Sequence, residues 1–217
     1  DSKHGTPFPR PPGQPLVRTW ARSFAVRVIV PTVLTVFLFL ILLLWIFIPS
    51  LEHAIMSRKR EMIRELTNSA WNILANLHEE VEEGLLTHDE AQREAIRQVR
   101  HLHYGPSMKD YFWINDLTPR MIVHPYREDL EGQDLSDFTD PGGKRLFHEV
   151  VSTVEDDGAG YVRYEWQVRD DPQHIGKKIS YVRLFEPWGW VIGTGVYLED
   201  VREDVARVKG HVIWASL

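Results

Sequence analysis

A run of 21 residues without a charged side chain, Val28–Ile48, constrains this chain more than any other feature. A helix needs about 20 predominantly apolar residues to cross a hydrocarbon core of about 30 Å, and in lipid its backbone must satisfy its own hydrogen bonds. Pro31 lies near the start of the run and Trp45 near its end, as suits a membrane helix. The run therefore predicts a transmembrane helix at 28–48, rather than a buried core helix or a cleaved signal peptide.

The charges on either side of this run predict its orientation. Residues 1–27 carry five lysines and arginines against Asp1, a net charge of +4. The whole chain has a net charge of −6, so the remainder sums to −10. Because positive segments stay in the cytoplasm, we expect residues 1–27 to form a cytoplasmic proline-rich tail. Residues 49–212 are then one domain outside the membrane.

The end of the chain is apolar as well. Val212, Ile213, Trp214 and Ala215 follow a helical segment. We interpret residues 213–217 as the start of a second membrane span that is cut short, so that the chain is part of a larger protein. The sequence has no cysteine, which excludes thiol catalysis and thiolate metal sites.

Two helices are predicted directly after the membrane span. Apolar residues recur at steps of three and four over Glu52–Leu86, the period of a helical stripe, and Gly84 breaks the pattern. Thr87 followed by Glu90 is a capping box that opens the second helix. The first helix is long for a small domain, so we expect it to lie along the rest of the domain or to pair with a second copy of itself in a homodimer.

The rest of the chain predicts strands with segregated helices. A helix is predicted to begin at Asp140-Pro141, with aspartate as its cap and proline at its first position. A final helix is predicted at Glu199–Val212. The predicted strands, aromatic and β-branched, are Tyr111–Ile114, Met121–His124, Gly160–Val168, Lys178–Phe185 and Trp190–Tyr197. This order indicates an α+β fold with an antiparallel sheet of about five strands, one face on the helices and the other free to cover a pocket.

No catalytic signature is present. The sequence contains no phosphate-binding loop, HExxH or GxSxG motif. Gly193 and Gly195 lie within a predicted strand and indicate a close backbone approach rather than a nucleotide site. We therefore predict no catalytic residue, no metal, no cofactor and no nucleic acid partner for this segment.

A few polar side chains among the aromatic strands suggest a binding site. Tyr111 and Trp113 share one face of their strand because side chains alternate. His124 ends the next strand, and Lys178 opens a later one. A lysine seldom lies among apolar residues without a partner. A lysine, a histidine and tyrosines beside an aromatic wall would suit a small anion such as a carboxylate.

Six sequence blocks resemble the single Cache sensor family. In order along the chain they are Tyr111–Asp116, Met121–Pro125, Gly132–Leu135, Asp140–Lys144, Lys178–Val182 and Pro187–Tyr197. The resemblance covers roughly Ser50–Val212. It implies a PAS-like sheet behind a long N-terminal helix, set between two membrane spans. It also implies that Tyr111, Trp113, His124, Lys178 and Tyr181 are pocket residues.

Members of that family sense small extracellular molecules, often short organic acids, for bacterial chemoreceptors, histidine kinases and nucleotide cyclases. The resemblance therefore implies a periplasmic sensor at the bacterial inner membrane that binds an acid such as acetate, propionate or pyruvate, with the lipid bilayer and a second copy as its other partners. Two alternatives stay open. One is a membrane-anchored extracytoplasmic enzyme, and the other is a dimerisation module without a ligand.

Overall fold

A computed structural model describes the backbone of residues 17–215 and the side chains of residues 26–42, 45–46 and 49–208. The chain divides into two units, one up to Pro49 and the other from Ser50 onward. The predicted tail at 1–27 lies largely outside the residues so described, as do the side chains of the predicted second span at 213–217.

The first unit contains the start of helix α1, which runs over Val17–Glu82. Its described apolar side chains are exposed, among them Phe37 at 59% and Trp45 at 83%. In the described part of the chain, no helix combines the length and apolar character that a membrane crossing requires. The span predicted at 28–48 thus has no support from the structure, although the side chains of residues 43, 44, 47 and 48 lie outside the described set.

The second unit contains the rest of α1 and three further helices, which are α2 (His88–Arg100), α3 (Leu146–Asp157) and α4 (Leu198–Ala215). The predicted capping box is confirmed at the start of α2. The Thr87 hydroxyl accepts a hydrogen bond from the Glu90 backbone N–H, and the Glu90 carboxylate accepts one from the Thr87 backbone N–H at 2.9 Å. These contacts satisfy two N–H groups that a helix start leaves unpaired.

An antiparallel sheet forms the centre of this unit. Its strands are β1 (His103–Tyr104), β2 (Asp110–Asp116), β3 (Met121–Val123), β4 (Ala159–Val168), β5 (Asp171–Phe185) and β6 (Trp190–Tyr197). The strand order is β1-β2-β6-β5-β4, and β3 pairs with the other end of β2. The predicted α+β class and hairpin are confirmed, and β1 is an additional short strand.

Each face of the sheet carries its own apolar core. We call the first the helix face, because Phe112 and Ile114 there join a core with Ala70 of α1 and Ala95 of α2. The second, which we call the loop face, carries Trp113, Tyr164, Trp166 and Val182, and it joins a core with α3 and the segment 121–135. The second face was predicted to be free to cover a pocket; α3 and this segment lie over it.

The predicted helix start at Asp140 is also wrong, because α3 begins at Leu146. The Asp140 side chain is buried, and its two oxygens accept hydrogen bonds from the backbone N–H groups of Lys144 at 2.7 Å and Glu165 at 2.8 Å. The carboxylate therefore closes a turn and ties that turn to β4. The turn at residues 140–144 is thereby fixed against the sheet next to the loop face.

Candidate functional site

Two glycines in β6 let the aromatic side chains of the loop face lie close to the sheet. A Cβ at Gly193 would lie 2.6 Å from the Trp113 indole and 3.0 Å from Cγ1 of Val182. A Cβ at Gly195 would overlap the Ser180 hydroxyl and lie 2.5 Å from the Ile179 carbonyl oxygen. The prediction that these glycines mark a close approach is confirmed. They form part of the floor under a packed aromatic cluster.

Lys178 lies in the middle of this cluster. It occupies β5, opposite Tyr164 of β4 and Tyr197 of β6, and its side chain is almost fully buried at 2% exposure. Its Nζ lies 4.0 Å from the centroid of the Tyr111 ring, 5.0 Å from that of Tyr197 and 5.7 Å from that of Trp113. Three aromatic faces therefore surround the ammonium group, and each attracts a cation electrostatically.

The ammonium group of Lys178 lacks a polar partner. Among the described residues, none accepts a hydrogen bond from Nζ or forms an ion pair with it. Burial lowers the pKa of Lys178 from 10.5 to about 7, since the charged form loses its hydration. The carboxylates of Asp110 and Asp200 raise this pKa again, while Arg169 lowers it. An anion placed beside Nζ would favour the charged lysine.

His124 is the second polar group of the cluster, and it is also buried, at 2% exposure. Its ring centroid lies 4.8 Å from that of Tyr111 and 5.6 Å from that of Trp166. Burial, and next the positive charge of Lys178, hold the pKa of His124 well below its usual value, so the ring is neutral. Nδ1 accepts a hydrogen bond from the backbone N–H of Tyr126 at 3.2 Å. The proton is therefore assigned to Nε2, which can donate.

A small cavity lies beside these groups, with an empty volume of about 200 Å³. Aromatic side chains form most of its walls. The lining residues are Trp113, His124, Leu146, Phe147, Tyr164 and Trp166. Lys178 is not itself a lining residue, but its Nζ lies 5.7 Å from the centroid of the Trp113 ring and Lys178 is the cross-strand neighbour of Tyr164, and both of these residues line the cavity. The space suits a ligand of only a few non-hydrogen atoms.

Two further polar groups line this cavity. The Tyr164 hydroxyl lies 2.9 Å from the Ser180 hydroxyl, and the two share a hydrogen bond. The indole Nε1 of Trp166 is buried and has no hydrogen-bond partner within the described structure. A buried donor without a partner is unfavourable by about 1–3 kcal/mol. The Trp166 N–H, the Lys178 ammonium group and the His124 imidazole are thus the polar donors near this cavity.

Larger spaces exist elsewhere on the second unit. One has an empty volume of about 1220 Å³ and lies between α1 and the end of β5, near Trp71, His78 and Arg183. It is open to solvent, and buried charged groups do not converge on it. We assign the candidate site to the smaller cavity because aromatic side chains and the buried His124 line it, and because it lies near a buried lysine with no polar partner among the described residues.

The five residues predicted for the site do not all meet. Tyr111, Trp113, His124 and Lys178 lie together on the loop face. Tyr181 lies three residues after Lys178 on the same strand and therefore points to the opposite face. There its ring packs against Tyr161 at 4.8 Å, beside α1. The structure thus separates Tyr181 from the other four.

Sequence reasoning missed a network of charges next to the site. The Arg169 side chain donates to Asp110 at 2.8 Å and to Asp200 at 2.7 Å. The backbone N–H of Arg169 donates to the Tyr197 hydroxyl at 3.1 Å, and that hydroxyl donates to the Gln167 carbonyl at 2.7 Å. Since Asp200 lies in the first turn of α4, the network joins the Lys178 neighbourhood to α4. The local sequence carried no signal for this network, because most of its residues are far apart in the chain. Except for the pairs Gln167–Arg169 and Tyr197–Asp200, any two of them are separated by at least 28 residues.

With this geometry in view, comparison with known proteins identifies the family. The sequence profile of single Cache domain 2 matches residues 55–210. The chain belongs to the single Cache domain 2 family. A Cache chemosensory domain solved to show the structural basis of its carboxylic acid recognition is 41% identical, with a TM-score of 0.63, and the match covers 67% of this chain and 97% of that one. The family resemblance stated from the sequence is confirmed.

Two curated relatives are signalling proteins. The methyl-accepting chemotaxis protein McpP of Pseudomonas putida is 42% identical over 149 residues, which are 69% of this chain and 27% of that protein. The sensor histidine kinase MctS of Rhizobium johnstonii is 33% identical over 156 residues, which are 71% of this chain and 32% of that protein. This chain therefore corresponds to about a third or less of each relative, and it is a Cache sensor domain of the kind found in chemotaxis receptors and histidine kinases.

Proposed function

We propose that this Cache domain binds a small monocarboxylate such as acetate, propionate or pyruvate, and that it is the ligand-sensing part of a chemoreceptor or a histidine kinase. The observation that carries the proposal is the buried ammonium group of Lys178, which has no hydrogen bond or ion pair to a described residue. A protein keeps such a charge only where something else compensates it. A carboxylate supplies that compensation.

The groups around the cavity suit the two ends of a short acid. The Lys178 ammonium would supply the opposite charge, and His124 Nε2–H and the Trp166 indole N–H would donate to the carboxylate oxygens. The apolar side chains of Leu146 and Phe147 line the same cavity and would contact the short carbon chain. The recognition of a carboxylic acid by a 41% identical Cache domain supports this assignment.

Calorimetry on matched variants tests the proposal. Lys178→Ala removes a charge-assisted hydrogen bond worth roughly 1.5–3 kcal/mol, so affinity for acetate or propionate should fall about tenfold or more. Lys177→Ala is the matched control, because Lys177 is the preceding residue of the same strand and is exposed. It should leave the affinity unchanged. If no short acid binds the wild type while an amine or amino acid does, the ligand class is wrong.

We propose further that α4 carries the signal. Tyr197 contacts Lys178 and directly precedes α4, and the Arg169 network reaches Asp200 in the first turn of that helix. A ligand shifts this arrangement only if it binds one state better than the other. In a full-length receptor, Arg169→Met should weaken ligand-dependent output while acid binding persists. Full output from that variant would exclude this route.

The membrane topology and the homodimer stay proposals as well. The net charge of +4 before residue 28 and −10 afterwards supports a cytoplasmic start and a periplasmic domain. Protease added to intact spheroplasts should cleave a site introduced near Asp170, and protection of that site would refute the orientation. Dimerisation through α1 predicts a dimer mass in sedimentation equilibrium, and a monomer at high concentration would contradict it.

A further inference from the structure

Trp166 separates two spaces of very different size. On one side is the small aromatic-lined cavity, whose empty volume of about 200 Å³ includes space open to solvent. On the other is a groove with an empty volume of about 1070 Å³, which we call the outer groove, formed by residues 126–129, 138–141 and 166–175. Among the described residues, Trp166 alone lines both. Its indole is therefore the wall between the cavity and the outer groove.

Several neighbours brace this wall. The Trp166 ring centroid lies 5.6 Å from that of Phe138 and 6.0 Å from that of Phe147, both at steep angles. The guanidinium of Arg127 lies over the ring at 5.8 Å, and Arg127 is itself held by two hydrogen bonds of 2.8 Å to Asp129. Trp166 is only 4% exposed. Because neighbours pack on both of its sides, this side chain could leave its position only at a substantial cost in free energy.

The outer groove would accept an alkyl chain. Phe138, Pro141, Pro172 and Ile175 contribute apolar surface to its lining. Its charged groups already have partners. Besides the Arg127–Asp129 pair, Asp140 accepts two backbone hydrogen bonds and Asp170 pairs with Lys109 at 2.6 Å. A carbon chain entering the groove would therefore displace water without leaving a charge unpaired.

We propose that Trp166 limits the length of the acid that this domain binds. This inference deepens the proposed function and rests on it. With the indole in place, the cavity holds acids of two or three carbons and excludes longer chains. With a smaller side chain at position 166, the cavity opens into the outer groove and the tail of a longer acid extends into it.

The expected effect can be scaled from the hydrophobic contribution of a methylene. Each buried methylene strengthens binding about fourfold. Hexanoate has three methylenes more than propionate, so burying all three would favour hexanoate by up to roughly 60-fold. In the wild type, where the wall blocks them, we expect hexanoate to bind at least about tenfold more weakly than propionate. The ratio of the two affinities is the diagnostic quantity, because the loss of the Trp166 N–H weakens both acids together.

Isothermal titration of propionate and hexanoate into the purified chain tests the inference. Trp166→Ala should invert the preference toward hexanoate, and Trp166→Leu, which keeps an apolar side chain in the core, should shift it in the same direction. Ile175→Ala is the control, since Ile175 lines the outer groove but not the cavity. The ratio of its affinities for propionate and hexanoate should equal that of the wild type.

Three results would overturn the inference. The first is a wild type that binds both acids equally, which needs no variant to establish. The second is a folded Trp166 variant whose ratio is unchanged although propionate still binds. The third is an Ile175→Ala ratio that shifts as far as that of Trp166→Ala. A wild type that binds neither acid would instead overturn the proposed ligand class, and the inference would fall with it.

Discussion

Replacing Lys178 by methionine should stabilise the ligand-free domain while weakening acid binding about tenfold or more. Methionine has nearly the shape of lysine but no charge, and it would lie among the rings of Tyr111, Trp113 and Tyr197. A lysine that stabilises the fold would give the opposite result. The sign of the stability change therefore distinguishes a residue kept for a ligand from one kept for folding.

The magnitude follows from the lysine pKa and its aromatic contacts. Burial lowers the Lys178 pKa from 10.5 to about 7, a fall of about 3.5 pH units. At about 1.36 kcal/mol per pH unit, burying the charged form is unfavourable by on the order of 5 kcal/mol below pH 7. The rings of Tyr111 and Tyr197 attract the cation and return roughly 0.5–2 kcal/mol each. Methionine should therefore raise the free energy of unfolding by roughly 1–4 kcal/mol at pH 6.

The pH dependence has a definite sign. Between pH 7 and 10.5 the unfolded chain keeps a proton on Lys178 that the folded protein has lost, so wild-type stability rises with pH in this window. The advantage of methionine should be largest below pH 7 and disappear above about pH 10.5.

Urea and thermal unfolding without ligand, at pH 6 and pH 10, measure this difference, and calorimetry with propionate measures binding. A gain of 1–4 kcal/mol corresponds to roughly 3–12 °C in Tm. A Lys178→Met variant that is less stable than the wild type at pH 6 would refute the reasoning, because the ammonium group would then stabilise the apo fold. Lys177→Met is the control, and its stability should be within about 0.5 kcal/mol of the wild type.

Three further predictions concern the site and its support. Affinity for acetate should be higher at pH 6 than at pH 8 and fall about tenfold per pH unit above pH 8, because the carboxylate binds charged Lys178 with its pKa of about 7. A flat calorimetric profile from pH 6 to 9 would contradict this. Gly193→Ala should lower the free energy of unfolding, measured in urea, by about 1–3 kcal/mol, because the new Cβ would lie 2.6 Å from Trp113. A variant as stable as the wild type would show that the indole shifts freely. Thr87→Ala should lower the free energy of unfolding by about 1 kcal/mol through loss of the capping box, with no change in acid affinity.

The element order, the fold class and part of the site were predictable because their signals are local. The capping box at Thr87 and Glu90 lies within four residues, and the strand Trp190–Tyr197 is observed with the predicted bounds. The placement of Tyr181 was also within reach of the sequence. Positions 178 and 181 differ by an odd number on one strand, so alternation alone places their side chains on opposite faces. The resemblance to the family, rather than the residues, placed Tyr181 with the other four.

The sequence by itself determined which side chains are chemically suited to an anion, and in which elements they lie. Only the tertiary structure decided that Lys178 is buried without a polar partner among the described residues, that Asp140 closes a turn instead of opening a helix, and that Trp166 divides the cavity from the outer groove. The physical reason is the same in each case. Local patterns report the face and period of an element, whereas burial, desolvation and polar partners depend on segments that meet only after the chain has folded.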